Sequence, residues 1–419
     1  MFVALRKSGE QINLLEQWGK QMLVSLREKE KFFCPICHHE VKLKLGESKK
    51  YHFAHKKTAN CTIELENESY YHLQGKELLY HWLRRQGMSV ELERYIPSIQ
   101  QRPDLLISYN GMDLALEYQC SSIPASQFIK RTQAYWKERI RVLWVLGGNH
   151  FKRHSAHWLK ISSFQALFTQ YDAFPYLLYF CPNTAFFLKC APLIPFSSST
   201  VFSHVTVHSL PSTTIHSVFE TSSLSLEWLQ KEWNQKKKQW RMQGLYALGQ
   251  QNRNFYQLLY EHRISPSCFP PEAAIPLPSL FSVQTPALVW QCYLLLHVLG
   301  PLQIGQYFSI QQLYNYMERQ SYVKQRLLPY FPPSFFKRVT QEYVQFLCYV
   351  GNIEHLGGEK YRKCRTYYVP TTEEEACQKD SEIMGYALQL FTEQAVYNMR
   401  GSKKDIIKEC ELTYWRHGT

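Results

Sequence analysis

Arg102-Pro103-Asp104-Leu105-Leu106-Ile107-Ser108-Tyr109-Asn110-Gly111-Met112-Asp113-Leu114-Ala115-Leu116-Glu117-Tyr118-Gln119 sets an Asn-Gly pair between two strand-like runs. Asn110-Gly111 predicts a type I′ hairpin, because that turn requires positive φ at both central residues. Facing residues then have numbers that sum to 221, so Asp104 lies across from Glu117 with Cβ atoms about 4.5–5.5 Å apart. The two-residue period puts Gln119 on the same face and leaves Leu105, Ile107, Leu114 and Leu116 for a core face. Two facing carboxylates repel each other unless a proton or a cation separates them. A divalent ion, Mg²⁺ or Mn²⁺, is the economical answer, since Mg²⁺ commonly takes one or two carboxylates plus substrate phosphate oxygens. A solvated face with two incidental acids is the plain alternative, and a register slip of one residue would remove the pairing.

Working outward, residues 64–85 carry Leu65, Leu73, Leu79 and Leu83 at helical spacing, with Glu68, His72 and Lys76 recurring at i, i+4 and i+8 as one polar stripe. A solvated helix face explains that stripe equally well. A strand is expected around 89–95. Downstream, 126–139 reads as a helix carrying Arg131 and Tyr135, and Arg141–Gly147 as a buried strand. A strand, crossover helix and parallel strand make a right-handed unit. The predicted order over 63–150 is therefore helix, three strands, helix, strand, an αβββαβ unit.

Nearer the N-terminus, Cys34-Pro35-Ile36-Cys37 is a CxxC knuckle, followed by His52-Phe53-Ala54-His55 and then by Cys61. Structural zinc takes four N or S ligands, and a CxxC knuckle offers two thiolates to one ion. The expected set is Cys34, Cys37, His55 and Cys61, with His52 competing for one place unless it lies on the other side of a short strand. A redox pair or two unrelated cysteines is the alternative for CxxC. So small a segment is expected to bury little core, so the ion would supply folding energy directly, and four protein ligands leave no open catalytic position.

The 419 residues exceed one compact core, and with 45% hydrophobic and 20% charged residues most of the chain should fold. Lys and Arg number 48 against 35 acids, a formal charge of +13 that suits an anionic partner such as nucleic acid. No run approaches the ~18 apolar residues of a membrane helix and the first residues lack an apolar h-region, so membrane spanning and secretion are not expected. Twelve cysteines, nine of them scattered after residue 62, then fit a reducing cytoplasm. Four segments are expected: a zinc-finger-like module at 1–62, the α/β unit at 63–150, an extension at 151–223 whose Ser/Thr/Pro-rich part reads as an irregular connector, and a mostly helical, basic region at 224–419. In the last, Leu226–Met242 sets Leu226, Leu229, Trp233 and Trp240 at helical spacing beside Lys231, Arg241 and the run Lys236, Lys237 and Lys238. That run is either a solubilising face or a phosphate contact. Phe335–Val350 reads as a helix leading into a Gly-Gly hairpin with four basic residues, either a winged-helix wing or a plain surface hairpin.

Pro103-Asp104 followed by Glu117-Tyr118-Gln119, in that order of elements, resembles the PD-(D/E)XK nuclease core. The Cys34–Cys37 and His52–His55 segments, together with Glu68, His72, Trp144 and the basic helical tail, resemble the CoiA family of competence proteins, closely over residues 1–150 and loosely beyond. The resemblance implies a cytoplasmic DNA-processing enzyme of natural transformation and recombination, an endo- or exodeoxyribonuclease with DNA, single-stranded DNA included, and recombination proteins as partners. It assigns Asp104 and Glu117 to Mg²⁺ or Mn²⁺, with Glu68 and Gln119 completing the catalytic set. The position of the PD-(D/E)XK motif's Lys is Gln119 here, a departure also found in some active members of that nuclease fold, and Gln orients a water without supplying positive charge to a developing pentacoordinate phosphate. Arg131 and Tyr135 have the spacing of the QxxxY element of related nucleases, with Arg replacing Gln. His72, Lys76, Arg131, Tyr135 and Lys236–Lys238 are the expected nucleic-acid contacts. A scaffold that binds DNA or mediates recombination without turnover is the rival expectation, and Gln119 favours it.

Overall fold

The computed structural model describes residues 1–46, 50–56, 61, 68–171, 173–219, 224–243, 253–331 and 334–400, the side chains of the final helix as far as residue 395. The chain packs as two units, Met1–Phe151 with Leu178–Lys189 and Thr206–Glu220, and Lys152–Leu177 with Cys190–Val205 and Thr221–Thr419.

The first unit opens with β1 (Val3–Arg6), β2 (Gln11–Asn13), helix α1 (Lys20–Lys29), β3 (Phe32–Phe33), β4 (Glu40–Lys44) and β5 (His52–His55). These strands form an antiparallel sheet in the order β2-β1-β3-β4-β5. Phe2, Ile12, Leu23, Phe32, Val41 and Phe53 are buried around it, and the rings of Phe32 and Phe53 lie 5.1 Å apart. This corrects the expectation of a module with little core of its own. The segment sits in one unit with 63–150, so apolar burial contributes to its stability beside any ion.

Next come α2 (Tyr70–Arg85), β6 (Val90–Leu92), β7 (Leu105–Tyr109), β8 (Met112–Gln119), α3 (Ala125–Lys137) and β9 (Arg141–Gly147). The strands lie side by side as β6-β7-β8-β9, antiparallel up to β8 and parallel between β8 and β9. Asn110 and Gly111 have φ of 53° and 75°, the turn pairs Tyr109 with Met112, and the ladder runs on to Leu105 opposite Leu116. Asp104 and Glu117 are the next facing positions. Helix α2 begins later than the periodicity suggests, because Ser69 caps it by accepting the His72 N–H. Glu68 therefore precedes the helix, and Leu65 of the expected stripe lies outside the described residues.

The two helices cover opposite faces of β8. Helix α2 packs on Tyr118, where Gly75 lets the backbone approach the ring and His72 meets it edge-on at 5.7 Å. Helix α3 packs on the face of Glu117 and its neighbour Trp144, whose ring lies 4.8 Å from Phe128 and whose Nε1 donates to Thr132 Oγ1. Both sides being covered explains why β8 is buried from Leu114 to Gln119 and has no solvated face.

The expected irregular connector is corrected. Phe186–Pro195 and Thr200–Ser209 are strands, followed by a short helix, Ile215–Phe219. The Ser and Thr content that suggested a loop is interleaved with Val201, Phe202, Val205 and Val207, and Thr and Val both favour the pleated backbone. The second unit is mostly helical. Its helix Leu226–Met242, capped by Ser225, buries Leu229, Trp233 and Trp240. Phe335–Val350 ends at Gly351 in the left-handed conformation (φ 84°) and leads into the hairpin Ile353–Gly357 and Lys360–Lys363, which Tyr307–Ser309 joins as a third strand. Lys363 donates to the carbonyls of Leu299, Gly300 and Leu302, Arg362 pairs with Glu354, and Arg365 donates to the Val350 carbonyl. Three of the hairpin's four basic residues are thus engaged within the protein, which favours the plain hairpin. No described helix is long and apolar enough to cross a membrane.

Replacing Gly75 with Ala sets two effects against each other. Helix propensity improves by about 1 kcal/mol, but the new Cβ would lie 2.1 Å from Tyr118 Cε1. That ring is anchored by its hydroxyl, which donates to the Phe180 carbonyl at 3.1 Å, and overpacking costs typically 1–3 kcal/mol, sometimes more. With a 2.1 Å approach to an anchored ring the overpacking cost falls at the upper end of that range, so Gly75→Ala should lose about 2 kcal/mol net in chemical denaturation. Wild-type stability in this variant would show that Tyr118 is free to move.

Candidate functional site

At the N-terminal end of α2, ligand atoms of Glu68, His72 and Asp104 all lie within 4.8 Å of one another. Each arrives from a different constraint: Glu68 just ahead of the Ser69 cap, His72 on the first turn, and Asp104 just ahead of β7. Asp104 Oδ2 accepts the Tyr118 N–H at 2.9 Å and faces His72 Nε2 at 3.4 Å, while Oδ1 lies 3.4 Å from Lys76 Nζ. Lys76 is 1% exposed and its ammonium also contacts Glu68 and Glu93. This corrects Lys76 as a nucleic-acid contact, because a buried ammonium shared by three carboxylates is out of reach of a phosphate. Burial alone would lower the Lys76 pKa, but Glu68, Glu93 and Asp104 outweigh it and hold the ammonium charged. Burial would likewise raise Asp104, and Lys76, His72 and the Tyr118 N–H instead hold its carboxyl well below the usual range.

Glu117 is 2% exposed and faces elsewhere. Its Oε1 accepts from Arg131 at 2.7 Å and from the hydroxyl of Tyr135, both on α3. Burial pushes the Glu117 carboxyl up against the pull of Arg131. Arg131 also lies 5.1 Å over the Trp144 ring. The repulsion expected between the facing acids is therefore relieved by two separate sets of protein donors, Lys76, His72 and a backbone N–H for Asp104, and Arg131 with Tyr135 for Glu117. Tyr135 is fully buried, which corrects it as a nucleic-acid contact, and Arg131 is committed to Glu117. Gln119 is 4% exposed and its amide donates to the Ser121 carbonyl at 2.9 Å.

Sequence reading missed Glu93. It follows β6 with φ of 51°, donates its own N–H to the Asp104 carbonyl at 3.1 Å, accepts the N–H groups of Phe2 and Val3 at 2.8 and 3.1 Å, and holds Lys76 with its carboxylate. Its only sequence signal is an acid closing a short apolar run, and Glu91-Leu92-Glu93-Arg94 reads as an ordinary surface turn.

A second cluster gathers Cys34, Cys37, His55 and Cys61, whose ligand atoms lie within 4.8 Å of one another. Cys37 Sγ is 3.4 Å from His55 Nε2, and the Ile36 N–H points at Cys34 Sγ at 3.4 Å, as the knuckle requires. Three sulfurs and one imidazole fit a closed tetrahedral metal site. His52 is one strand face away from His55 and turns its Nδ1 to the Lys50 carbonyl at 2.8 Å, outside the cluster. In the second unit the lysine run divides. Lys237 is 2% exposed and reaches the Pro271 carbonyl at 2.7 Å and Asp380 at 2.8 Å, which corrects it as a phosphate contact. Lys236 is half-buried near Trp158 and Lys238 is exposed.

The carboxylates around Lys76 have depressed pKa values in the folded state, so their stabilisation is present above the unfolded values, about 4, and is lost as pH falls through the folded ones. Lys76→Met removes the cation shared by three buried acids, leaving Glu68 the N-terminal ammonium, Glu93 two backbone N–H groups and Asp104 His72 and the Tyr118 N–H, and should cost about 3–5 kcal/mol at neutral pH. The deficit should shrink below about pH 4, measured by denaturation across pH. A deficit independent of pH would assign the loss to packing.

Residues 68–223 match the family model described as Competence protein CoiA, nuclease-like domain, while 15–64 match its N-terminal domain and 229–377 its C-terminal domain. The competence protein CoiA of Bacillus subtilis (strain 168) is 31% identical over 340 residues, which cover 80% of this chain and 90% of that protein. No solved structure matches the chain. With the cluster of Glu68, His72 and Asp104 inside the first of these regions and the Cys/His cluster in the second, three consecutive matches and a relative aligned along most of both lengths establish that the chain belongs to the CoiA family of competence proteins.

Proposed function

We propose that the protein is a divalent-metal-dependent DNA nuclease acting during natural transformation, with zinc in its N-terminal cluster. The observation that carries the reading is the convergence of Glu68, His72 and Asp104 within 4.8 Å at the edge of the hairpin, in the region matched by a nuclease-like domain model. Two carboxylates and an imidazole are a donor set suited to Mn²⁺ or Mg²⁺. A bound ion would supply Lewis acidity at the scissile phosphate and a water of lowered pKa. Asp104 is fixed for this by the Tyr118 N–H and Lys76, so Lys76 acts as a positioning residue. Glu117 would join the set only if the ion took the place of Arg131, whose guanidinium, 21% exposed, would then be available to a phosphate. Gln119 orients water without adding charge.

A second reading, a DNA-binding scaffold without turnover, is favoured by one observation. Asp104 and Glu117 are already compensated by protein cations, and no lysine stands at position 119.

Purified protein should cut DNA with Mn²⁺ or Mg²⁺ and not with EDTA. Asp104→Asn and Glu117→Gln should each abolish cutting, and the pair together should cost little more than either alone. Arg131→Gln frees Glu117 and should tighten Mn²⁺ binding roughly tenfold in calorimetry. If the wild type cuts nothing under any divalent ion while both acid variants support transformation, the scaffold reading replaces this one. Metal analysis should return about one zinc per chain, lost in Cys34→Ser together with thermal stability. A well-folded preparation free of zinc would sink that assignment.

A further inference from the structure

Within the second unit, apart from the acid cluster, three rings meet at the surface. Trp228, 44% exposed on the first turn of Leu226–Met242, lies 4.5 Å from His157, and His204 lies 6.0 Å from Trp228 and 6.4 Å from His157. The base of this platform is rigid. His157 stacks at 22° on Phe202, which is 1% exposed and packs edge-on against Trp158, and the His157 carbonyl accepts the Ser203 N–H at 2.9 Å. Burial lowers the His157 pKa, so its ring is neutral at neutral pH and serves as a stacking face.

Positive charge is held beside the rings. Arg153 is exposed and its guanidinium is fixed by the carbonyls of Ser155 at 2.8 Å and Ala156 at 2.7 Å, with no carboxylate within ion-pair distance among the described residues. This contrasts with Arg131 and Arg241, whose charges are answered by Glu117 and Asp380. Lys231 follows Trp228 by three residues on the same helix and is exposed. Of the nearby acids, Glu232 is engaged by Trp158 Nε1 at 2.8 Å and Glu227 lies on the exposed first turn.

We propose that Trp228, His157 and His204, with Arg153 and Lys231, form a binding platform for single-stranded DNA. Bases stack on the rings and phosphates lie against the cations. Single strands are selected because only an unpaired, unstacked base offers its π-face, whereas in a duplex both faces are taken by neighbours. The platform rests on the reading of DNA as partner and is independent of the metal chemistry.

The test measures anisotropy of fluorescein-labelled oligo-dT and of a duplex of equal length, with the full zinc-loaded chain and no added Mg²⁺ or Mn²⁺ so that cleavage plays no part. Trp228→Ala should weaken oligo-dT binding roughly 5- to 150-fold, the range measured for losing one stacking side chain, and duplex binding far less. Trp228→Phe should retain most of the affinity, and His204→Ala should lose part of it. Arg153→Gln should weaken binding and reduce the salt slope by about 0.7, as for one phosphate contact on a single strand. Oligo-dT binding by Trp228→Ala equal to the wild type, an equal loss on duplex and single strand, or no binding by the wild type would each overturn the platform. Asp104→Asn run beside these variants separates the readings: it should lose cleavage and keep oligo-dT affinity, whereas Trp228→Ala should lose oligo-dT affinity and keep cleavage of a duplex.

Discussion

A single buried ammonium ties the first unit together. Lys76 reaches from α2 to Glu68 ahead of its own helix, to Glu93 after β6 and to Asp104 before β7. Glu93 in turn accepts two N–H groups from the start of the five-stranded sheet, so the chain of contacts runs from β1 through Lys76 to the hairpin. Replacing such a cluster with apolar groups is often harmless to stability, but removing one member leaves unpaired charge in a low-dielectric site. The geometry of the acids thus depends on a cation that never meets solvent.

The same arrangement decides how the acids can be used. Helices on opposite faces of β8 draw the two facing carboxylates apart, Asp104 toward α2 and Glu117 toward α3. Each is charge-compensated without any ion. On the proposed nuclease reading, occupancy by a divalent metal would be an exchange of partners, its cost set by how readily Arg131 leaves Glu117. Burial raises Glu117 in spite of that arginine, whereas Asp104 is held ionised. One acid is thus held ionised beside a lysine, and the other sits against its guanidinium with its carboxyl pushed up.

The sequence by itself determined the elements whose causes are local. Asn110-Gly111 set the hairpin and its register, because positive φ at two successive residues has few solutions. Apolar periodicity set α3, β9 and Phe335–Val350 to within a residue or two. The spacing of Cys34, Cys37, His55 and Cys61 brought together the four residues that cluster, because a knuckle and a short strand are rigid enough to be read along the chain. Tertiary structure decided what depends on which face another element covers. Lys76, Lys237 and Tyr135 read as polar surface in one dimension and are buried by partners distant in sequence, Glu93 at 17 residues' separation from Lys76 and Asp380 at 143 residues' separation from Lys237. No periodicity encodes such partners, since an amphipathic stripe records that a face is polar and not whether water or a carboxylate will meet it.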